Sequence, residues 1–420
     1  MSRTLNVYLC GKKIGMLCEN DALQLSFQYC DNTVPALSVH LPVRTESYPH
    51  AYALPFFENL TPEGEAFGIL TKNHVSGNKI FSMLDRYGGD CAGAVAFYET
   101  EPVQTSEEYL YEINTAKIAI IIDKLPEDPL LTSLKNPPRL SLAGAQSKFA
   151  VLKINNRYYR SNDEYPTTHI IKITNRKFHD LLENELFCMK LAHIMQIDAP
   201  EVTLKKVKNR RRNIFIPYLE IERYDRHIEQ GIVSRIHQED FCQALGLVSD
   251  NKYQASYRGA GRGASIKNCY TIIEEFSENR LKDITLFIEW IIFNYLIGNT
   301  DAHAKNLSLL HTETGIRLAP FYDLLSTEVY PGKLVDHSTA MLINGKGKYD
   351  SLTPNDFIAL FGQLGLNATN MMKTIKSTFD PIITRAQDLR KSLLSTEISQ
   401  KDCYKEIIKI IKKRHAVIFA

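Results

Sequence analysis

Short apolar runs separated by turn residues dominate the first half of the chain, and after Asp225 the apolar positions change to helical spacing. LNVYL, the turn residues GKK and IGML predict a hairpin, LQLSFQYC and ALSVHLP predict two further strands, and AGAVAFY closes this region. Helices are expected around FFENL and IFSMLDRYG. The polar stretch 99–108, ETEPVQTSEE, has no periodic apolar positions and reads as a boundary. Beyond it IAIIID, KFAVLKI, HIIKIT, EVTLKKV and IFIPYLEIE are short and rich in β-branched residues, which predicts strands. One helix stands among them over 180–196, where Leu182, Leu186, Met189 and His193 repeat at i, i+4, i+7 and i+11. QEDFCQALGL, SIKNCYTIIEEF, ITLFIEWIIFNYL, NDFIALFGQLGL, ATNMMKTIKSTF and KEIIKIIKKRHAVIF then predict a largely helical second half. The expected division is a strand-rich module at 1–103, a second strand-rich region at 104–224 and a helical lobe at 225–420, with a ligand cleft between lobes.

Composition narrows the function. With 44% hydrophobic and 23% charged residues among 420, the chain can bury substantial cores, which excludes intrinsic disorder. Its 50 basic and 48 acidic residues leave a formal net charge of +2, so electrostatic wrapping of nucleic acid is a minority reading. Cys10, Cys18, Cys30, Cys91, Cys188, Cys242, Cys269 and Cys403 contain no C-x-x-C pair, which argues against a zinc site or a secreted disulfide framework and fits a reducing cytoplasm. The longest apolar stretch, 286–298, is interrupted by Glu289 and Asn294, so no membrane span is expected.

The apolar helix near 283–298 runs into GNTDAHAKN, a very polar loop for the end of a buried segment. Asp301 and Asn306 there have the D-x-x-x-x-N spacing of a kinase catalytic loop, although capping and turn roles explain such a pair equally well. LSLL, HTETG and IRLAP then form a hairpin-like pair, followed by Phe321-Tyr322-Asp323, which puts a carboxylate where a second metal-binding Asp belongs. Asp323 also reads as an N-cap. Upstream, Lys172 lies in a strand between isoleucines, and Glu185 sits among Leu181, Leu182, Cys188 and Met189 on the apolar helix face, where a carboxylate needs a partner. A Lys172–Glu185 pair followed by an Asp-Asn loop and a metal Asp is the ordered set that grips ATP phosphates. The small-residue loop SLAGAQSK before KFAVLKI lets backbone N–H groups approach phosphate, yet it matches no standard glycine-rich motif and alone is a turn. The glycine-rich tract 257–263 follows no strand and is assigned no phosphate contact. The basic run 205–213 reads as a solvated hairpin tip or as a docking patch.

FFENLTPEG, GGDCAGAVAFY, SLAGAQSK, PTTHIIKIT, ENEL, EIERYDR, HQEDFCQALG, IGNTDAHAKN and APFYDLLS occur in the order seen in the HipA family of bacterial serine/threonine kinases, toxins of HipBA-type toxin–antitoxin modules, which the chain resembles over nearly its whole length. The resemblance implies an α+β, bilobal protein-kinase-like fold with a strand-rich N-terminal module and a mostly helical C-terminal lobe. It implies Asp301 as the catalytic base with Lys305 beside it in the catalytic set, and Asn306 and Asp323 as Mg2+ ligands. ATP would be held by Ala143, Gly144, Ala145, Gln146, Ser147, Lys148, Lys172, Glu185, His303 and the hinge residues Glu222, Arg223 and Tyr224. Ser141 corresponds to a serine these kinases phosphorylate on themselves, an event expected to silence the enzyme. Ser147 stands where the family commonly has glutamate. The implied partners are a HipB-like helix-turn-helix antitoxin, which alone touches operator DNA, and an aminoacyl-tRNA synthetase substrate, glutamyl-tRNA synthetase being the best-known type. A catalytically weak corepressor and a small-molecule kinase are the alternatives.

Overall fold

The structure is a computed structural model that describes residues 2–64, 66–69, 77–102, 110–128, 146–161, 165–174, 177–229, 232–255, 263–395 and 403–419. The chain divides into two units, Met1–Ile173 with Lys206–Ser249 and Leu309–Glu313, and Thr174–Lys205 with Asp250–Ser308 and Thr314–Ala420. Both helices and sheets are well represented, as an α+β class requires.

In the first unit β1 (Arg3–Leu9), β2 (Lys12–Glu19), β3 (Leu25–Tyr29) and β4 (Val95–Tyr98) form an antiparallel sheet in the order β3-β2-β1-β4. The hairpin register pairs Leu5 with Leu17, so alternate residues bury one face. That face packs Leu5, Val7, Leu17, Phe27 and Phe97 against Phe56 and Phe57 of α1 (His50–Glu58) and Phe81 of α2 (Lys79–Tyr87). Each such aromatic contributes about 1.5–3 kcal/mol by leaving water. The run ALSVHLP, expected as a strand, forms only an isolated bridge between Ser38 and Leu41. Its polar groups are satisfied otherwise: Ser38 Oγ donates to Glu239 Oε2 at 2.5 Å, and the Val39 N–H donates to Glu239 Oε1 at 3.0 Å.

IAIIID also departs from expectation, because it lies in a helix, α3 (Thr115–Lys124). The Asn114 side chain caps it by accepting from the Lys117 N–H at 3.0 Å. Ile118, Ile122 and Leu125 then pack on Phe149, Val151 and Ile171, so tertiary burial outweighs the strand preference of an isoleucine run. The covered sheet has the order β6-β5-β7-β9-β8, built from β5 (Lys148–Ile154), β6 (Arg157–Tyr159), β7 (His169–Ile173), β8 (Val202–Asn209) and β9 (Ile214–Glu222). Of the basic run, Lys205, Lys206 and Lys208 lie in β8, and Arg210, Arg211 and Arg212 lie in the turn that leads to β9.

Just past β9 lies a buried ionic cluster. Arg223 donates through Nε and Nη2 to both oxygens of Asp225, at 2.9 and 2.6 Å, and Arg226 donates to Asp90 at 2.7 Å. Asp90 also accepts from the Thr167 N–H and hydroxyl, and Asp225 from the Gly93 N–H at 2.7 Å. The arginines hold both carboxyls below the usual carboxylate range against the opposing effect of burial. The unit continues through β10 (Arg226–Glu229), β11 (Ile232–Arg235) and β12 (His237–Asp240), which pairs with β13 (Ser308–Thr312). QEDFCQALGL, expected as a helix, yields a helical turn only at Phe241–Ala244, opened by a capping box between Asp240 and Gln243.

The second unit is mostly helical: α4 (Leu181–Ile194), α5 (Ile266–Phe276), α6 (Arg280–Ile297), α7 (Pro354–Gln363), α8 (Ala368–Phe379), α9 (Ile382–Leu394) and α10 (Tyr404–Ile418), with β14 (Gly315–Leu318). Helix α6 is apolar nearly all round because Phe287, Ile288, Ile291, Ile292 and Leu296 are buried on different faces. Its first turn is fixed by the fully buried Asp283, which accepts from Arg317 Nε and Nη2 at 3.1 and 2.9 Å, the Leu318 N–H at 2.9 Å and the Ser277 hydroxyl at 2.6 Å. Its last turn ends at Gly298 with φ +71°, a left-handed cap that a side chain would strain, and a Cβ there would meet Glu328 at 2.8 Å.

Candidate active site

The left-handed turn at Gly298 delivers the chain from α6 into the polar loop, and three amides then set the position of Asp301. Asn294 donates to the Trp290 carbonyl at 2.8 Å, Asn299 donates to Asn294 Oδ1 at 2.7 Å, and the Asp301 N–H donates to Asn299 Oδ1 at 3.2 Å. Asn294 and Asn299 are each 1% exposed, so this chain is shielded from competing water. The Tyr349 hydroxyl donates to the Asn299 carbonyl at 2.8 Å and fixes the loop from the other side. Asn306 closes the turn by donating through Nδ2 to the Asp301 carbonyl at 3.1 Å. Asp301 and Asn306 are thereby brought together.

The Asp301 carboxylate accepts at Oδ1 from the Tyr253 hydroxyl at 2.7 Å. Tyr253 is oriented by an edge contact with the His303 ring, centroids 5.2 Å apart. Tyr253 is a site residue that sequence reasoning missed; it lies 48 positions upstream, and no local spacing links it to the loop.

The FYD segment meets the same loop. The Tyr322 hydroxyl, adjoining Asp323, donates to the Lys305 carbonyl and lies 2.7 Å from Ser308 Oγ. Asp323 has φ +53°, a left-handed conformation costly for a residue other than glycine, which marks a constrained position. The segment beyond is tied to α4 by a two-way amide clamp, in which Asn184 Nδ2 donates to the Ser326 carbonyl and the Ser326 N–H donates to Asn184 Oδ1, both at 2.8 Å. Thr327 completes the frame by accepting at Oγ1 from the Thr300 N–H at 2.7 Å. Glu185, next to Asn184, is 1% exposed; Lys305, His303 and Asn306 are also buried.

A cavity of about 630 Å³ opens beside Asp301 within this unit. Phe178, Leu181, Leu325, Tyr330, Leu334 and Val335 give it an apolar wall, and Asp301, Tyr253 and Thr300 contribute to its polar side.

In the first unit Lys172 lies in the central strand β7, directly opposite Lys148 of β5 on one side and Leu219 of β9 on the other. Ile171 and Ile173 belong to the core under α3, so strand alternation puts Lys172 and Lys148 on the opposite face. Gln146 and Ser147 lead into β5, and the Ser147 carbonyl accepts from the Ile173 N–H at 3.3 Å. Ser141, Ala143, Gly144 and Ala145 lie outside the described residues. At the expected hinge, Glu222 is exposed and Tyr224 half-buried, whereas the Arg223 side chain is committed to the ionic cluster and its N–H donates to the Thr168 carbonyl at 2.9 Å. What Arg223 can still present to a nucleotide is its carbonyl.

Fold and loop geometry together define an α+β protein of kinase-like architecture. The model of the HipA N-terminal domain matches residues 5–98, and that of the HipA-like C-terminal domain matches residues 140–386. The chain belongs to the HipA family. It is 37% identical over 348 residues to the Sinorhizobium fredii protein Y4mE, covering 78% of each. It is 29% identical over 329 residues to the serine/threonine-protein kinase toxin HipA of Shewanella oneidensis, covering 74% of this chain and 71% of the relative. Among solved structures, a chain of the Shewanella oneidensis MR-1 complex of HipA, HipB and operator DNA superposes with a TM-score of 0.82 at 24% identity, over 99% of this chain and 96% of that one.

Proposed function

We propose that the chain is an ATP- and Mg2+-dependent serine/threonine protein kinase acting as the toxin of a HipBA-type module. The observation that carries this reading is a carboxylate, Asp301, held at backbone and side chain on the edge of a cavity large enough for a substrate segment. With Oδ1 engaged by Tyr253, Oδ2 is the oxygen that accepts the proton of an acceptor hydroxyl. Rate enhancement then comes from orientation of that hydroxyl and from charge stabilisation. Lys172 and Lys148 bind the phosphates of ATP, and Lys305 adds positive charge near the base.

The residues suit Mg2+. Asn306 uses Nδ2 on the Asp301 carbonyl, which orients its amide oxygen as a donor, and Asp323 supplies a carboxylate; hard oxygen donors are what Mg2+ prefers. Among the described residues no group of three or more His, Cys, Asp or Glu side chains is poised around a metal, so a cation here would complete its shell with phosphate oxygens and water. When bound, Mg2+ would neutralise charge on the transferring phosphoryl group.

The Shewanella relative supports a HipB-like antitoxin as partner, with DNA contacted through it, and the family resemblance supports an aminoacyl-tRNA synthetase such as glutamyl-tRNA synthetase as substrate and Ser141 as the self-modified serine. No helix of the described residues is long and apolar enough to cross a membrane. The test is transfer of label from γ-labelled ATP to the chain and to lysate proteins, with mass spectrometry of the acceptors. Asp301→Asn should reduce transfer about 10²- to 10⁴-fold. Full activity in that variant would remove Asp301 from its role, and no transfer by the parent protein, together with tighter operator binding by the antitoxin, would favour a corepressor.

A further inference from the structure

Helix α10 places a charged residue where its pattern calls for an apolar one. Tyr404, Ile407, Ile411 and Ile418 mark a buried stripe at helical spacing, and Arg414 occupies the same stripe with 2% of its surface exposed. Its Nη2 donates to Glu328 Oε1 at 2.5 Å and lies 2.8 Å from Asp350 Oδ1. Its guanidinium carbon stands 5.3 and 5.4 Å from the ring centroids of Tyr295 and Tyr349. An apolar side chain of similar volume often fills such a space without loss of stability, so what the guanidinium adds is a fixed direction for the groups around it.

Two of those groups end at the loop that carries Asp301. The Tyr349 ring meets Tyr295 edge-on, centroids 5.3 Å apart, and its hydroxyl donates to the Asn299 carbonyl at 2.8 Å. Asn299 Oδ1 in turn accepts from the Asp301 N–H at 3.2 Å. Glu328 reaches the same turn by its backbone, since its N–H and that of Thr327 donate to the Gly298 carbonyl at 3.1 and 3.0 Å. The start of α10 is anchored separately, by Tyr404 stacked on Phe187 of α4 with centroids 5.0 Å apart. Docking of the helix therefore does not depend on Arg414 alone.

We infer that Arg414 is a positioning residue for the transfer step: by fixing Tyr349 and Glu328 against Asn299 and Gly298, it holds the turn from which Asp301 is presented. The inference rests on the kinase reading and adds to it a residue of α10 that touches neither ATP nor acceptor.

The experiment uses the full chain as the parent and as Arg414→Met, Arg414→Lys, Tyr349→Phe and the Arg414→Met, Tyr349→Phe double variant. Each is read by transfer from γ-labelled ATP, by the urea midpoint and by amide hydrogen exchange. Arg414→Met should lower kcat about tenfold while the KM for ATP stays within about twofold of the parent. Arg414→Lys, which keeps the charge without the planar fork, should fall between the two. Tyr349→Phe should lower kcat about fivefold, and the double variant should fall no further than Arg414→Met, because both changes break one path. Exchange across residues 299–306 should quicken in each single variant, with residues 284–293 of α6 unchanged. A lowered urea midpoint with unchanged kcat overturns the inference and leaves Arg414 as an anchor of the helix. Independent, multiplying losses in the double variant also overturn it. Should Arg414→Met fail to fold, parent-like kcat in both Arg414→Lys and Tyr349→Phe overturns it. If the parent transfers no label, the kinase reading fails, and the exchange comparison then decides for Arg414: unchanged exchange in residues 299–306 overturns its hold on the loop, and faster exchange confined there supports it.

Discussion

Replacing Tyr253 with phenylalanine tests whether the base depends on a neighbour contributed from outside its own loop. The substitution removes one oxygen and leaves the ring against His303. The lost hydrogen bond is 2.7 Å long and ends on a carboxylate, a type that contributes about 1.5–3 kcal/mol when shielded. Both residues are only half-buried, so water can take over part of the interaction and the lower end, about 1.5 kcal/mol, applies. If Tyr253 fixes the rotamer that presents Oδ2 to the acceptor, that energy appears in the transition state, and kcat should fall about tenfold. Single-turnover transfer with saturating ATP isolates the step, and a urea midpoint close to the parent value checks that the fold is intact. An unchanged or faster rate would refute the positioning argument and show that the phenol occupies the acceptor's place.

Two other perturbations address the framework. Asp283→Asn halves a bidentate contact to Arg317 and removes the charge that two further donors address at the start of α6, so it should cost about 3–5 kcal/mol in urea unfolding, against less than 1 kcal/mol for the exposed Asp388→Asn. His237 is buried neutral: burial, with a smaller effect from His311, depresses it to about 3 from an ordinary value near 6.5, while its Nε2 lies 2.8 Å from the Leu37 carbonyl. The unfolded chain therefore takes up this proton first, so its contribution is complete above about pH 6.5 and declines by up to about 1.4 kcal/mol per pH unit as pH falls toward 3. His237→Gln should flatten the pH dependence of the urea midpoint between pH 7 and 5, and an identical slope would exclude His237 as its source. Asp90 and Asp225, whose folded values are lowered, lose their contribution only at more acid pH, below the ordinary carboxylate value near 3.8.

Elements whose residues answer to neighbours in sequence were legible. The β1–β2 hairpin carries its turn between two alternating runs, and α6 announces itself by thirteen nearly unbroken apolar positions. IAIIID misled because isoleucine runs suit a strand and a helix buried on one face alike, and the deciding contacts, Phe149 and Ile171, lie more than twenty-five residues away. ALSVHLP misled because its polar groups bond to Glu239, about 200 positions on. The same holds at the site. Asp301 and Asn306 share a turn and can be found by spacing, whereas Tyr253, Asn184 and Thr327 reach it only through the fold. Arg223 shows the limit from the other side, since a motif position can be right about the backbone and silent about a side chain bound into a salt cluster.

That cluster also governs how the gene can be cut. Asp90 and the Cys91 and Gly93 carbonyls come from the first hundred residues, while Arg223 and Arg226 come from beyond β9. A truncation that begins after residue 98 would remove one of the two carboxylates and the Cys91 and Gly93 carbonyls from these guanidinium groups, leaving them to Asp225 and solvent. The amino-terminal module is thus a structural counterion for the rest of the first unit, and a chain that begins after residue 98 should unfold at a lower urea midpoint than the full chain.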